Sequence, residues 1–266
     1  MIYSERSCIH IEIQPLGGGS IEHYYHFVFD LLLPLSRGMS GAKREVVFSV
    51  KRFGPLSLEL QTIFPGRVIL TDKEEHVSAL PLLGMNPHGL KRMKFNLDSF
   101  SSQMMERLHI EGTNVTKKII LIERSIPHDY YLQDAKKKGT GTERRSIRNH
   151  DELIKLLLNV ISANYVFENV ILEGMSFKDQ IRLFSSATLV IGQHGGGLTN
   201  VVWMSPASHV IELGFRSRPH FAKVCKAKKH SYYIYKNYKA KHINVKINHF
   251  KKWLYSIEPL QEYLRH

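Results

Sequence analysis

Cysteine is nearly missing from this sequence. Two in 266 residues, Cys8 and Cys225, are too few for a disulfide scaffold or a multi-cysteine zinc site. Acidic residues are scarce against basic ones: 24 Asp+Glu stand against 37 Lys+Arg, a formal net charge of +13. No run approaches the ~18 apolar residues of a membrane span, and the longest candidate, residues 27–35, is interrupted by Asp30 and Pro34. The first residues lack a basic stretch followed by an apolar core, so no secretory leader is expected. Together these absences predict a cytoplasmic protein without a membrane anchor, although its charge would suit peripheral contact with an anionic membrane. Several signatures are missing too: no GxxxxGK[ST] phosphate loop, no GxGxxG dinucleotide fingerprint, no HExxH and no DxD. The last two give no reason to expect a metal.

What remains is an ordinary globular composition. A hydrophobic content of 43% excludes a disordered chain, and the length allows one large domain or two small ones. The positive charge admits three partners: nucleic acid, an anionic membrane surface or a phosphorylated substrate. Short apolar runs alternate with helical periods. Strands are expected at 45–50, 67–71, 117–122, 167–172, 188–192 and 209–213, and helices at 56–63, 151–162, from Ser176 to 187, and 198–204. Strands separated by such helices are βαβ units of a parallel sheet, which binds ligands at the carboxyl ends of its strands. The polar stretch 111–116 marks a boundary, predicting units 1–113 and 114–266. A long loop carrying Lys136, Lys137 and Lys138 fills 125–144, and a last helix is expected over 249–264, packing back on the first unit.

The chemistry concentrates in 188–213, TLVIGQHGGGLTNVVWMSPASHVIEL. A buried strand ends at Gly192, His194 precedes Gly195, Gly196 and Gly197, and Leu198, Thr199 and Asn200 open a helix. Glycines let a backbone approach a ligand closely, and a helix start offers unpaired N–H groups and partial positive charge to a phosphate. His194 adds a hydrogen-bond donor, with Thr199 and Asn200 as further polar contacts.

This segment resembles the HGAGLTN-type motif of glycosyltransferase family 61, with Gly196 where the family usually has Ala. Other pieces follow in the family's order: GGSIEHYYHFVFDLLLPL at 18–35, ILIER at 120–124, Arg145 to Asn149, MSFKDQIRLFSSA at 175–187, and Ser205-Pro206 through Glu212. The resemblance implies an α/β protein of GT-B type, two Rossmann-like domains facing across a cleft. It implies an inverting, metal-independent enzyme that needs no cofactor. A UDP-sugar would be the donor (UDP-xylose first, then UDP-N-acetylglucosamine), and a hydroxyl of a glycan or glycoprotein the acceptor. A compact viral or bacterial member, acting in the cytoplasm, would fit.

Such a reaction needs charge stabilisation on the leaving diphosphate and a base for the acceptor proton. Residues 195–200 supply backbone N–H groups for the first task. Arg124 with Arg145 or Arg148 would clamp the diphosphate; the long insertion leaves the choice among Arg144, Arg145 and Arg148 open. Met175, Ser176 and Glu212, near strand ends, would hold the donor's base and ribose. For the base, His23, His26 and Asp30 stand out. His26 and Asp30 meet at i, i+4 if their segment is helical; either one is a candidate proton acceptor.

A nucleic-acid-binding protein is the alternative. Residues 216–252 hold twelve Lys and Arg and no Asp or Glu, interleaved with Tyr232, Tyr233, Tyr235 and Tyr238, and tyrosines among lysines can stack bases. No RNA- or DNA-binding signature accompanies them, so nucleic acid is not the expected partner. SYYIYK at 231–236 also reads as a strand. A nucleotide-dependent oxidoreductase is disfavoured by the missing GxGxxG.

Overall fold

A computed structural model of the chain describes residues 8–14, 21–41, 46–72, 80–83, 96–111, 117–126, 129–132, 145–214, 219–236 and 242–265. The lysines of the 125–144 loop, Arg144, residues 112–116 and Tyr238 lie outside them. The chain divides into two units, Met1–Glu111 and Gly112–His266. Each is mixed α/β around a parallel sheet.

In the first unit, β1 (Cys8–Gln14), β2 (Val47–Lys51), β3 (Val68–Thr71) and β4 (Leu80–Leu83) form a sheet in the order β3-β2-β1-β4. All pairings are parallel. Residues 24–41 form one helical run, α1, made of Tyr24–His26, a wide turn Phe27–Leu32 and Leu33–Gly41. Helix α2 (Leu56–Ile63) sits where its periodicity placed it. Helix α3 (Leu97–Arg107) starts at Asn96, whose side chain accepts from the N–H groups of Asp98 and Ser99 at 3.0 and 3.1 Å. That N-cap satisfies two of the helix's orphan donors. Strands β1 and β4 and helix α3 were not foreseen.

In the second unit, β5 (Lys118–Glu123), β6 (Val166–Ile171), β7 (Ala187–Gln193), β8 (His209–Gly214) and β9 (Ser231–Lys236) are ordered β6-β5-β7-β8-β9. Every pairing is again parallel. The crossovers carry α4 (His150–Val160), α5 (Phe177–Ser185) and α6 (Pro219–Ala227). A 3-10 helix, Gly196–Trp203, follows β7. The expected last helix 249–264 is instead α7 (Ile247–Tyr255) plus a 3-10 turn, Glu258–Tyr263, which begins just before Pro259. Phe250, Leu254, Leu260 and Tyr263 are buried in this unit's core with Leu153, Leu157 and Val160 of α4 and Leu189, Ile191, Ile211 and Leu213 of the central strands. Among the described residues no helix is long and apolar enough to cross a membrane.

A short ladder ties the chain before α4 to the chain before α7. Ile243 donates to the carbonyl of Ser146 at 2.8 Å, and Arg148 donates through its backbone to Ile243 at 2.8 Å. Asn149 closes the ladder. Its Nδ2 donates to the carbonyl of Val245 at 2.8 Å, and its Oδ1 accepts from the N–H of Val245 at 2.9 Å. Val245 is buried, so no solvent would replace those bonds. Asn149→Ala is expected to destabilise the protein by about 1–3 kcal/mol, the cost of orphaning buried backbone groups. Urea unfolding measures it, and an unchanged midpoint would show that the ladder carries no stability.

Candidate functional site

The glycine segment folds over the carboxyl end of β5. A side chain at Gly192 would lie 3.0 Å from Cδ1 of Ile122 and 3.2 Å from Leu198; one at Gly197 would lie 3.1 Å from Leu172 and 3.2 Å from Ile122. These glycines are packing positions, where backbone rests on Ile122. The first hydrogen bond of the 3-10 helix runs from the N–H of Leu198 to the carbonyl of Gly195, 3.1 Å. The N–H groups of Gly195, Gly196 and Gly197 thus come before the first intrahelical bond. Residues 194–197 are partly exposed, whereas Leu198, Thr199 and Asn200 are fully buried. Asn200 donates inward to Oε1 of Gln180 at 2.9 Å and to the carbonyl of Gly197 at 3.2 Å. It fixes the turn to α5, a role invisible in the motif.

Two guanidiniums meet on one backbone oxygen. Arg124, which follows β5, donates to the carbonyl of His194 at 3.0 Å, and Arg145 donates to the same oxygen at 3.4 Å. The pair forms a cationic rim beside the glycine turn. Arg145 has φ 61°, a conformation that costs a non-glycine residue of order 1 kcal/mol. The ladder at Ser146–Asn149 fixes the chain that follows it. Arg148, the other candidate, has an exposed side chain and is not part of the rim.

The ring of His194 is held from the opposite side. Its Nδ1 lies 2.7 Å from Oε1 of Glu212, and Tyr232 donates its hydroxyl to Oε2 at 2.7 Å. Glu212 is fully buried, both carboxylate oxygens engaged. Burial and the bond to Glu212 push the Tyr232 phenol up, so it stays a donor. Nearby, burial and then the charge of Glu212 push the Cys225 thiol up to about 12. Phe221 of α6 packs edge-on against His194, ring centroids 5.3 Å apart, with His220 at 6.4 Å.

Of the other expected donor contacts, Ser176 is exposed and caps α5, accepting from the N–H of Asp179 at 3.1 Å. Met175 is half-buried, its N–H on the carbonyl of Leu172. Both follow β6 at its carboxyl end.

In the first unit, His26 and Asp30 do meet, with Nδ1 and Oδ2 2.5 Å apart. The turn that brings them together is π-helical: the N–H of Leu33 bonds to the carbonyl of Val28, five residues back. Pro34 gives a reason, since it cannot donate to the carbonyl of Asp30 as an α-helix requires. Wide turns of this kind often mark functional sites. Asp30 is 1% exposed and His26 21%, so only the imidazole reaches the surface. Oδ1 of Asp30 has no hydrogen-bond partner among the described residues. Burial, then the Asp30 charge, push the neighbouring Tyr25 phenol up. His23 lies just before α1, its carbonyl accepting from Phe27 at 2.9 Å.

The glycine turn thus lies on the end of neighbouring β5 with two arginines beside it, and the glycosyltransferase 61 family model matches residues 24–211. The chain belongs to glycosyltransferase family 61. It is 41% identical over 63 residues to a beta-1,2-xylosyltransferase of Arabidopsis thaliana, covering 23% of this chain and 12% of that protein. It is 29% identical over 118 residues to the EGF domain-specific O-linked N-acetylglucosamine transferase of Mus musculus, covering 43% of this chain and 19% of that protein. Each match therefore spans under a fifth of the relative's length.

The nucleic-acid alternative loses its support here. Tyr232 is tied to Glu212, Tyr233 stacks on His209 and Tyr235 is buried against His249, Phe250 and Trp253. These rings are committed to packing β9, not free to stack bases. Among the described residues no three His, Cys, Asp or Glu side chains gather as a metal site.

Gly195 offers the sharpest test of the rim. Its backbone is extended, so any residue is tolerated conformationally, but a Cβ there would sit 1.9 Å from Nη2 of Arg124. Gly195→Ala is expected to drive that guanidinium off the His194 carbonyl. Binding of inorganic pyrophosphate, read by calorimetry, should weaken about tenfold or more, the worth of one charge-assisted hydrogen bond, with little change in melting temperature. Equal affinity would show that Arg124 does not serve an anion.

Proposed function

We propose that this family 61 member is an inverting glycosyltransferase that uses a UDP-sugar, UDP-xylose or UDP-N-acetylglucosamine, to glycosylate a hydroxyl of a glycan or glycoprotein. The observation that carries the reading is the convergence of Arg124, Arg145 and His194 on a turn whose leading N–H groups precede its first hydrogen bond. That is the chemistry a diphosphate requires. The named relatives support both donor sugars. Two parallel α/β units support the GT-B arrangement, with the acceptor bound by the first and the donor by the second.

In the reaction the acceptor oxygen forms a bond to the anomeric carbon as that carbon's bond to the diphosphate breaks. The bonding pair leaves with UDP, where the arginines and turn N–H groups stabilise it. The acceptor proton passes to His26 through Nε2, the nitrogen that Asp30 does not hold. Asp30 is too buried to meet the acceptor itself and orients the ring. The residues that hold UDP need no metal for this.

A thermal-shift panel tests the donor. UDP and at least one UDP-sugar should raise the melting temperature by mass action, while GDP does not; no response to any uridine nucleotide would remove the donor site. The base is tested separately with the responding sugar and an acceptor hydroxyl. His26→Ala should lower turnover by about 10²–10⁴-fold, the usual worth of general base catalysis, while UDP binding stays near that of the parent protein. Normal turnover in that variant would move the base elsewhere.

A further inference from the structure

We infer that Glu212 and Tyr232 are positioning residues that keep a proton on Nδ1 of His194 and so leave Nε2 as an acceptor for a hydroxyl of the bound donor nucleotide. This rests on the donor reading above but concerns groups that need not touch the donor at all. Glu212 is fully buried in the interior strand β8, and a buried carboxylate is tolerated only when its oxygens are hydrogen-bonded. Tyr232, from β9, fills Oε2. Oε1 then requires a donor, and the atom 2.7 Å away is Nδ1 of His194. The phenol cannot exchange roles, because its only proton is already given to Oε2.

The ring is fixed in orientation as well as in tautomer. Its backbone carbonyl is held by Arg124 and Arg145, its backbone N–H donates to the carbonyl of Leu213 at 3.3 Å, and Phe221 packs edge-on against its face. His220 and Cys225 of α6 also lie near the pair. A carboxylate that holds the far nitrogen of a working imidazole is a recurring way to set its tautomer. Here the carboxylate is itself set by a tyrosine one strand further along the sheet. The register makes this possible: Glu212 pairs with Ile234, which places Tyr232 two residues back on the same face of β9.

Nitrogen-15 NMR of imidazole-labelled protein tests this, with the His194 signals identified by their loss in His194→Gln. The neutral ring of the parent protein should carry its proton on Nδ1, and UDP should perturb Nε2. Glu212→Gln keeps an acceptor oxygen and should retain that tautomer and most of the turnover. Glu212→Leu removes it, and should shift the proton to Nε2 and lower turnover by about 10²-fold. A parent ring protonated on Nε2 would overturn the inference, as would a Glu212→Leu variant with unchanged tautomer and turnover. If Glu212→Leu does not fold, the parent spectrum and Glu212→Gln still decide. If the proton sits on Nδ1 while UDP leaves Nε2 unmoved, the positioning stands and the donor reading falls. If UDP binds a ring with the other tautomer, the reverse holds.

Discussion

The close contact between the glycine turn and Ile122 sets the geometry of the second unit. A side chain at Gly192 would press on Ile122 and Leu198, and one at Gly197 on Leu172 and Ile122, each at 3.0–3.2 Å. Packing density in a protein interior leaves little slack for such an intrusion. The turn therefore lies directly on the end of β5, and Arg124 emerges two residues after Ile122 with its guanidinium beside the His194 carbonyl. Lifting the turn by a methyl group would move that carbonyl, the ring of His194 and the N–H groups of Gly195–Gly197 together. A motif usually read as a ligand cradle is thus first a packing motif. Its cradle exists because the backbone is pressed onto a strand, with Asn200 and Gln180 holding its far end to α5.

The buried strands of the second unit were legible because each is a short apolar run bounded by turn residues; 188–192 became Ala187–Gln193 and 209–213 became His209–Gly214. The first unit was less so. Strand β1 alternates Ile with His, Glu and Gln, and β4 contains Pro81, so neither shows an uninterrupted apolar run. Helix α3 had a readable start in Asn96 followed by Leu97 and Asp98, an N-cap signal that went unused. In the site, the His26–Asp30 contact followed from helical spacing, but the π turn did not, because it depends on which carbonyls lose donors around Pro34. Choosing Arg145 over Arg148 needed the ladder to Ile243 and Val245, a pairing about a hundred residues away in sequence. The partner of His194 was out of reach for the same reason: Glu212 reads as a strand-end polar residue until the sheet register turns it inward.

The charge that sets this sequence apart is only partly tied to the site. Arg124 and Arg145 supply the rim, and Tyr232, Tyr233 and Tyr235 of the lysine-rich segment pack within the second unit. Lys228 is itself buried at 2% exposure, so even this segment is not wholly a solvated face. A positive surface raises the local concentration of any anionic substrate before specific contacts form, and a diphosphate-bearing donor would gain from it wherever the lysines lie.

Beside the looser contact of His150 with Glu123 at 3.5 Å, two close imidazole–carboxylate pairs stand among the described residues, one in each unit, and their surroundings differ. In both, the carboxylate is buried and the imidazole partly exposed: 1% against 21% for Asp30 and His26, 0% against 15% for Glu212 and His194. In both, the carboxylate approaches Nδ1, so Nε2 is the nitrogen left for chemistry. The surroundings then diverge. His194 stands on a backbone oxygen shared by two guanidiniums, beside turn N–H groups that precede the first intrahelical bond, where negative charge is welcome. His26 packs edge-on against Tyr25 in a segment that buries Phe27, Phe29 and Leu31. The guanidiniums themselves suit a leaving phosphate, while Nε2 of a ring protonated on Nδ1 is left to accept from a hydroxyl. An apolar, carboxylate-backed ring favours taking a proton from an acceptor hydroxyl. The bonding of the carboxylates agrees. Glu212, saturated by Tyr232 and His194, can only hold its histidine still. Asp30, with Oδ1 unpaired among the described residues, keeps capacity for the imidazolium that the proposed base would form.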